Sequence, residues 1–225
     1  MTSGLRERQK AERRRRIEAA AREVFREKGY EAATTREIAE RAEVSIGTLF
    51  AYAADKRELL VMVYRDELHE LTEATFETVP FDASLLEQLM HVLTPRYAYW
   101  NADPSLARHA VRETFASIYS RTTDPSSGER MPPEHLLQLR LVQLIATGQR
   151  DGRVVPTEDP ELIARLVLDI YLSENRSWLA DVEPLLAIGV ARLHDALELG
   201  LRALAVHYEN SRSNTIPNPR RRGSS

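Results

Sequence analysis

The chain has 225 residues, with 31 Lys and Arg against 34 Asp and Glu, and no cysteine. That length suits one or two domains with ample core, and the missing thiols exclude disulfides, thiolate catalysis and zinc–cysteine sites. No apolar run reaches the roughly 18 residues needed to cross a bilayer, and the arginine-rich start does not resemble a signal peptide, so a cytoplasmic protein with no membrane partner is expected.

Charge is unevenly spread. Residues 1–57 hold 14 Lys and Arg and 10 Asp and Glu, whereas the remainder holds 17 and 24. A basic head on an acidic body steers one end toward a polyanion. Within the head, Arg13 to Arg16 form a run on the first helix, read either as a solvated face or as part of that attraction. The Gly29-Tyr30 pair then marks a turn. Thr34 and Glu37 have capping-box spacing, which opens a short second helix ending near Ala42, with Ile38 and Ala39 facing inward. Ser45 caps a third helix of about two turns, from Ile46 to Tyr52, with Leu49 as its inward anchor. Gly47 costs roughly 0.5–1 kcal/mol in a helix interior, which suggests that something approaches closely there. Asp55 caps the helix after it and leaves Lys56 pointing outward at a phosphate-binding helix start.

These residues resemble the DNA-binding domain of the TetR family of bacterial transcriptional regulators. The resemblance rests on Gly29-Tyr30, Thr34-Thr35-Arg36-Glu37-Ile38-Ala39, Val44-Ser45, Gly47-Thr48-Leu49-Phe50, Tyr52 and Asp55-Lys56. It implies a brace helix, a helix across the DNA backbone and a recognition helix in the major groove. By position, it assigns phosphate contacts to Thr35 and Lys56, and a phosphate or guanine contact to Arg36. Ile46 and Thr48 fall where bases are read; Ser45, Phe50 and Tyr52 fall on backbone-contacting positions. Three residues depart from the family pattern: Glu43 replaces a turn glycine, Phe50 a tyrosine and Ala53 an aromatic.

Beyond the head, apolar residues recur every three or four positions and no strand period is seen, so an all-α fold of about nine helices is expected. The expected helices span Lys56 to Thr78, Ser84 to Trp100 with a kink at Pro95, and Asp103 to Tyr119. A loop follows from Thr122 to Pro133, then a helix from Leu136 to Gln149. The stretch Gly148 to Pro156, followed by Asp159-Pro160-Glu161, resembles the second half of many TetR-like regulators. Two long helices close the chain, Glu161 to Ala180 and Pro184 to His207. Their apolar faces are too wide for one buried side, and the resemblance implies a homodimer through them.

The expected organisation is a helix-turn-helix domain at 1–57 (the motif at 34–53), a helical effector-binding and dimerisation domain at 58–208, and a disordered basic tail at 209–225. Tyr97, Trp100, Phe115, Tyr119, Tyr171 and Trp178 are the candidate lining of an apolar ligand cavity. His109 and Glu113 share a helix face at i, i+4, which more often marks a surface contact than a metal site. No catalytic residue, metal or cofactor is expected, because the motifs of zincins, phosphate loops and hydrolase elbows are missing. The leading reading is a homodimeric repressor released from a palindromic double-stranded DNA operator by a small apolar or amphipathic effector. A ligand-independent DNA-binding activator or architectural protein, and a helical enzyme or carrier, stay open as alternatives.

Overall fold

A computed structural model of the chain describes the backbone of residues 2–119, 131–154, 156 and 158–213, and the side chains of these apart from 2–4, 7, 113–119 and 203–213. Its described residues form nine helices and no strand: α1 (Thr2–Ala32), α2 (Thr35–Arg41), α3 (Ile46–Phe50), α4 (Lys56–Glu77), α5 (Leu85–Asn101), α6 (Pro104–Tyr119), α7 (Pro133–Arg150), α8 (Pro160–Leu179) and α9 (Leu186–Ser213).

Side-chain caps fix several of these starts. Thr34, Ser45, Asp55, Ser84 and Asp159 each accept a bond from a backbone N–H in the first turn of the helix that follows, which satisfies a donor that the helix cannot. Differences from the expected bounds have local causes. α7 starts at Pro133, inside the expected loop, because proline is preorganised for a first helical position. α9 continues to Ser213, past the expected end at His207, and no proline interrupts it before Pro217. α5 runs through Pro95 as one helix. Residues 122–130 of the expected loop and 214–225 of the expected tail lie outside the described residues.

α1 packs on α2, α4 and α6, and α3 packs on α2. Ile17, Ala21, Val24 and Phe25 of α1 meet Ile38 and Leu49 in a small core with almost no solvent exposure. Each large side chain there contributes roughly 1.5–3 kcal/mol by burial. α4 is the connecting rod. Its first turns bury Leu59, Leu60 and Val63 near this small core, and its later turns bury Leu68, Thr72 and Thr75 against the trunk. In the trunk, α4 packs on α5, α6 and α7, α8 lies between α7 and α9, and α5 packs on α9.

Candidate nucleic-acid interface

α2 is fixed by two reciprocal bonds at its start and by a left-handed residue at its end, where the turn into α3 begins. Thr34 Oγ1 accepts from Glu37 N at 3.2 Å, and the Glu37 carboxylate accepts from Thr34 N at 3.3 Å. Lys28 bonds the same carboxylate and, with Thr34, holds Glu37 below the usual carboxylate range. At the C-terminus, Val44 N bonds Ala39 O and Glu43 N bonds Glu40 O, which is the Schellman arrangement. Glu43 therefore takes the left-handed position, with φ 53°. For a residue with a Cβ this conformation costs roughly 1–2 kcal/mol, so the departure from glycine noted in the sequence is a real strain.

α3 is shorter than expected, five residues ending at Phe50. Ser45 Oγ accepts from Thr48 N at 3.1 Å and lies 2.8 Å from Thr48 Oγ1, which fixes the first turn. Leu49 is fully buried, while Ile46 and Phe50 are 43% and 46% exposed. Gly47 is exposed, and a Cβ built on it would meet only Ser45 Oγ, at 4.0 Å. The fold itself does not require glycine there.

The other candidate DNA contacts surround this helix. Thr35 is half-buried and Arg36 exposed at the start of α2, with Arg36 Nε 3.4 Å from Glu40. Tyr52 is half-buried, and its hydroxyl donates to the Lys10 carbonyl of α1 at 3.3 Å. Lys56 corrects the expectation of an outward side chain. Its ammonium turns back to donate to the carbonyls of Tyr30 and Glu31, at 2.7 and 3.0 Å, and lies 4.6 Å from the centre of the Tyr30 ring. Those carbonyls end α1, whose last turn has no basic residue of its own, so Lys56 caps it. The His109 ring stacks on Tyr30 at 4.4 Å and its Nε2 lies 3.8 Å from Glu31. The side chain of Glu113, its sequence partner, lies outside the described ones.

An open cleft of about 630 Å³ separates α3 from the first turns of α1. Arg6, Lys10 and Arg13 line one wall; Ser45, Gly47, Thr48 and Tyr52 line the other. The sequence showed the charge but not this juxtaposition, which depends on α1 continuing unbroken upstream of Ile17.

Four of the six candidate ligand residues meet inside the trunk. Tyr97, Trp100, Tyr171 and Trp178 are at most 2% exposed. The Tyr97 ring lies 5.0 Å from Trp178 and 6.0 Å from Tyr171, and Trp100 Nε1 donates to Tyr171 OH at 3.1 Å. The side chains of Phe115 and Tyr119 lie outside the described ones. Sequence reasoning missed the polar centre of this cluster. Arg96 is 1% exposed, and it donates to Thr72 Oγ1 at 3.0 Å and to Tyr171 OH at 3.3 Å. Glu134, 2% exposed, is pushed above the ordinary carboxylate range by burial, against the pull of Arg96 and then Arg65. Tyr97 OH and Asn175 Oδ1 are buried without a hydrogen-bond partner. The available signal was that Arg96 sits on the same helical stripe as Leu89, Val92, Leu93 and Trp100. A cavity of about 50 Å³, enough for very few waters, opens beside Glu134, Arg65 and Tyr64.

Comparison with known proteins bears on both regions. Residues 17–63 match the family described as bacterial regulatory proteins, tetR family. The chain is 30% identical over 168 residues to the HTH-type transcriptional repressor KstR of Mycolicibacterium smegmatis, covering 75% of this chain and 77% of that one. Its fold is similar to that of a TetR-family transcriptional regulator from Pectobacterium atrosepticum, with TM-score 0.65, 22% identity and coverage of 91% and 97%. It is also similar to Thermus thermophilus FadR, a TetR-family repressor solved with lauroyl-CoA, with TM-score 0.61, 22% identity and coverage of 94% and 100%.

Proposed function

Since the chain belongs to the TetR family of DNA-binding transcriptional regulators, we propose that it is a homodimeric repressor released from a palindromic operator by an amphipathic effector. The observation that carries the DNA half of this reading is α3, which presents Ile46, Gly47 and Phe50 to solvent beside a cationic wall. A helix of that size with its inner face anchored by Leu49 fits a major groove. We assign reading to residues 1–57, with Thr35, Arg36, Ser45, Ile46, Gly47, Thr48, Phe50 and Tyr52 as its contacts. Lys56 joins them through its one ammonium hydrogen not given to α1. Residues 58–208 take effector binding and dimerisation.

Support for an amphipathic effector comes from the trunk interior. A wholly apolar core needs no buried guanidinium, yet Arg96 lies among aromatics with Thr72, Tyr171 and Glu134. Polar groups held ready in an apolar surround suit a ligand with a greasy body and one polar end. Long-chain acyl-CoA is the first class to try, since a fold neighbour was solved with lauroyl-CoA. The aromatics are packed against one another, so entry of such a ligand must part them. α4 contributes Thr72 to this cluster and begins at the reading head, so that movement is passed to α3. The ligand must prefer the parted state, because equal affinity for both states shifts nothing.

The test is fluorescence anisotropy on duplex DNA flanking the chain's own coding sequence, with and without lauroyl-CoA. The expected result is tight binding that the thioester reverses. Trp100→Phe, which removes an indole donor at small volume cost, is expected to keep DNA binding and weaken the response. Binding that no acyl-CoA reverses would leave a ligand-independent regulator, and no binding to any duplex would overturn the DNA-reading assignment.

A further inference from the structure

The helical face of α1 that builds the small core does not stop where the core stops. Ile17, Ala20, Ala21 and Val24 are buried on it. Going back along the same stripe at three- and four-residue steps, the next positions are Arg13, Lys10 and Arg6. On the face that elsewhere meets protein, the chain places three cations, and they look across the cleft at Ser45, Gly47 and Thr48 of the recognition helix region. These turns also lie upstream of residues 17–63, the part that matches the family.

Ion pairing separates these cations from their neighbours. Arg14 is bonded to Glu18 at 2.7 Å, and Arg15 and Arg16 lie 3.5 Å from Glu12 and Glu43. Among the described residues, Arg6, Lys10 and Arg13 form no ion pair. The Tyr52 hydroxyl, bonded to the Lys10 carbonyl, ties the end of α3 to the middle of this stripe. The first turns of α1 thus hold a set distance from α3 and keep their positive charge unneutralised.

We infer that the first four turns of α1 are a second DNA-contacting element, in which Arg6, Lys10 and Arg13 clamp the sugar–phosphate backbone of the same duplex beside the bases that α3 reaches. This rests on the DNA-reading assignment above. The scale fits. From Arg6 to Arg13 the helix rises about 10 Å, which matches roughly three phosphates of one strand at about 3.4 Å each along the duplex axis. The clamp reads no sequence. It supplies salt-dependent affinity and sets the angle at which α3 enters the groove.

The experiment uses the full chain and a duplex that the wild type selects from a random-sequence pool. Arg6→Ala, Lys10→Ala and Arg13→Ala are combined, and Arg8→Ala with Arg15→Ala, on the opposite face of the helix, serves as the control. Alanine favours helix, so α1 keeps its shape. The triple variant is expected to lower the slope of log affinity against log salt by between about two and three per bound protomer, and the control by less than about one. Trimming the flanks of the duplex is expected to weaken the wild type while leaving the triple variant unchanged. An unchanged slope, or equal losses in the triple variant and the control, would overturn the clamp while leaving α3 as a reader. Wild-type protein that selects no duplex would overturn the DNA-reading assignment itself.

Discussion

Gly47 shows how an energetic cost in one residue can point to function. It sits inside a five-residue helix, it is exposed, and a Cβ there would meet nothing closer than 4.0 Å. The protein alone would gain from alanine at this position. Gly47→Ala is therefore expected to raise stability by roughly 0.5–1 kcal/mol in urea unfolding and to weaken operator binding. DNA binding equal to wild type would mean that no partner comes within a methyl group of that backbone. Lys56 teaches the opposite caution. Its side chain has structural partners in the Tyr30 and Glu31 carbonyls, so an alanine there removes a helix cap along with any phosphate contact. The salt slope of that variant must be judged beside its unfolding curve.

At the level of helices, much was legible beforehand, for reasons that differ by element. α2, α3 and α4 announce themselves through side-chain caps at Thr34, Ser45 and Asp55, which are local and readable without knowing the fold. The capping box predicted at Thr34 and Glu37 is present. The clustering of Tyr97, Trp100, Tyr171 and Trp178 follows from placing large apolar side chains on facing stripes of α5 and α8. Its polar centre was not legible, because Arg96 and Glu134 stand 38 positions apart in sequence and only the packing of the helices brings their charges within each other's field. Glu134 gives this centre a pH signature. Its carboxyl is raised above the ordinary 4.5 in the fold. From pH 4.5 up to that raised value, the folded chain holds at Glu134 a proton that the unfolded chain has released, so the contribution of this carboxyl to stability falls as pH rises. Glu134→Gln keeps the shape without the titration. Plotted against pH, the stability of the wild type relative to Glu134→Gln is expected to be highest at pH 4 and to decline above it, as read from urea midpoints. Parallel curves would show that Glu134 is solvated.

For the whole molecule, the outer faces of the last two helices matter most. α8 buries Ile163, Val167 and Tyr171 yet leaves Leu162 and Leu166 47% and 40% exposed, and α9 leaves Ile188 and Leu199 exposed, as is Leu185 just before it, while burying Leu193 and Leu197. Scattered exposed leucines are ordinary, but a helical pair with two apolar faces needs two partners. One is the trunk; under the proposed function the other is a second copy, which would also set two reading heads on one operator. Leu166→Asp combined with Ile188→Asp is expected to give a folded monomer by light scattering, with operator affinity reduced at least tenfold. A dimer of unchanged affinity would place the twofold axis elsewhere. A different constraint governs the break near the end of α1, where Gly29 adopts φ 75° and ψ 165° just before Tyr30 stacks on His109 of α6. Any L-residue there would pay roughly 1–3 kcal/mol for the backbone alone, although a Cβ would touch nothing within 4 Å. The obstacle is handedness, not room. The mirror image of that backbone is ordinary extended chain, so D-alanine introduced by chemical ligation is expected to raise the melting temperature where L-alanine lowers it, because it restricts the unfolded chain and fits the bend that ends α1.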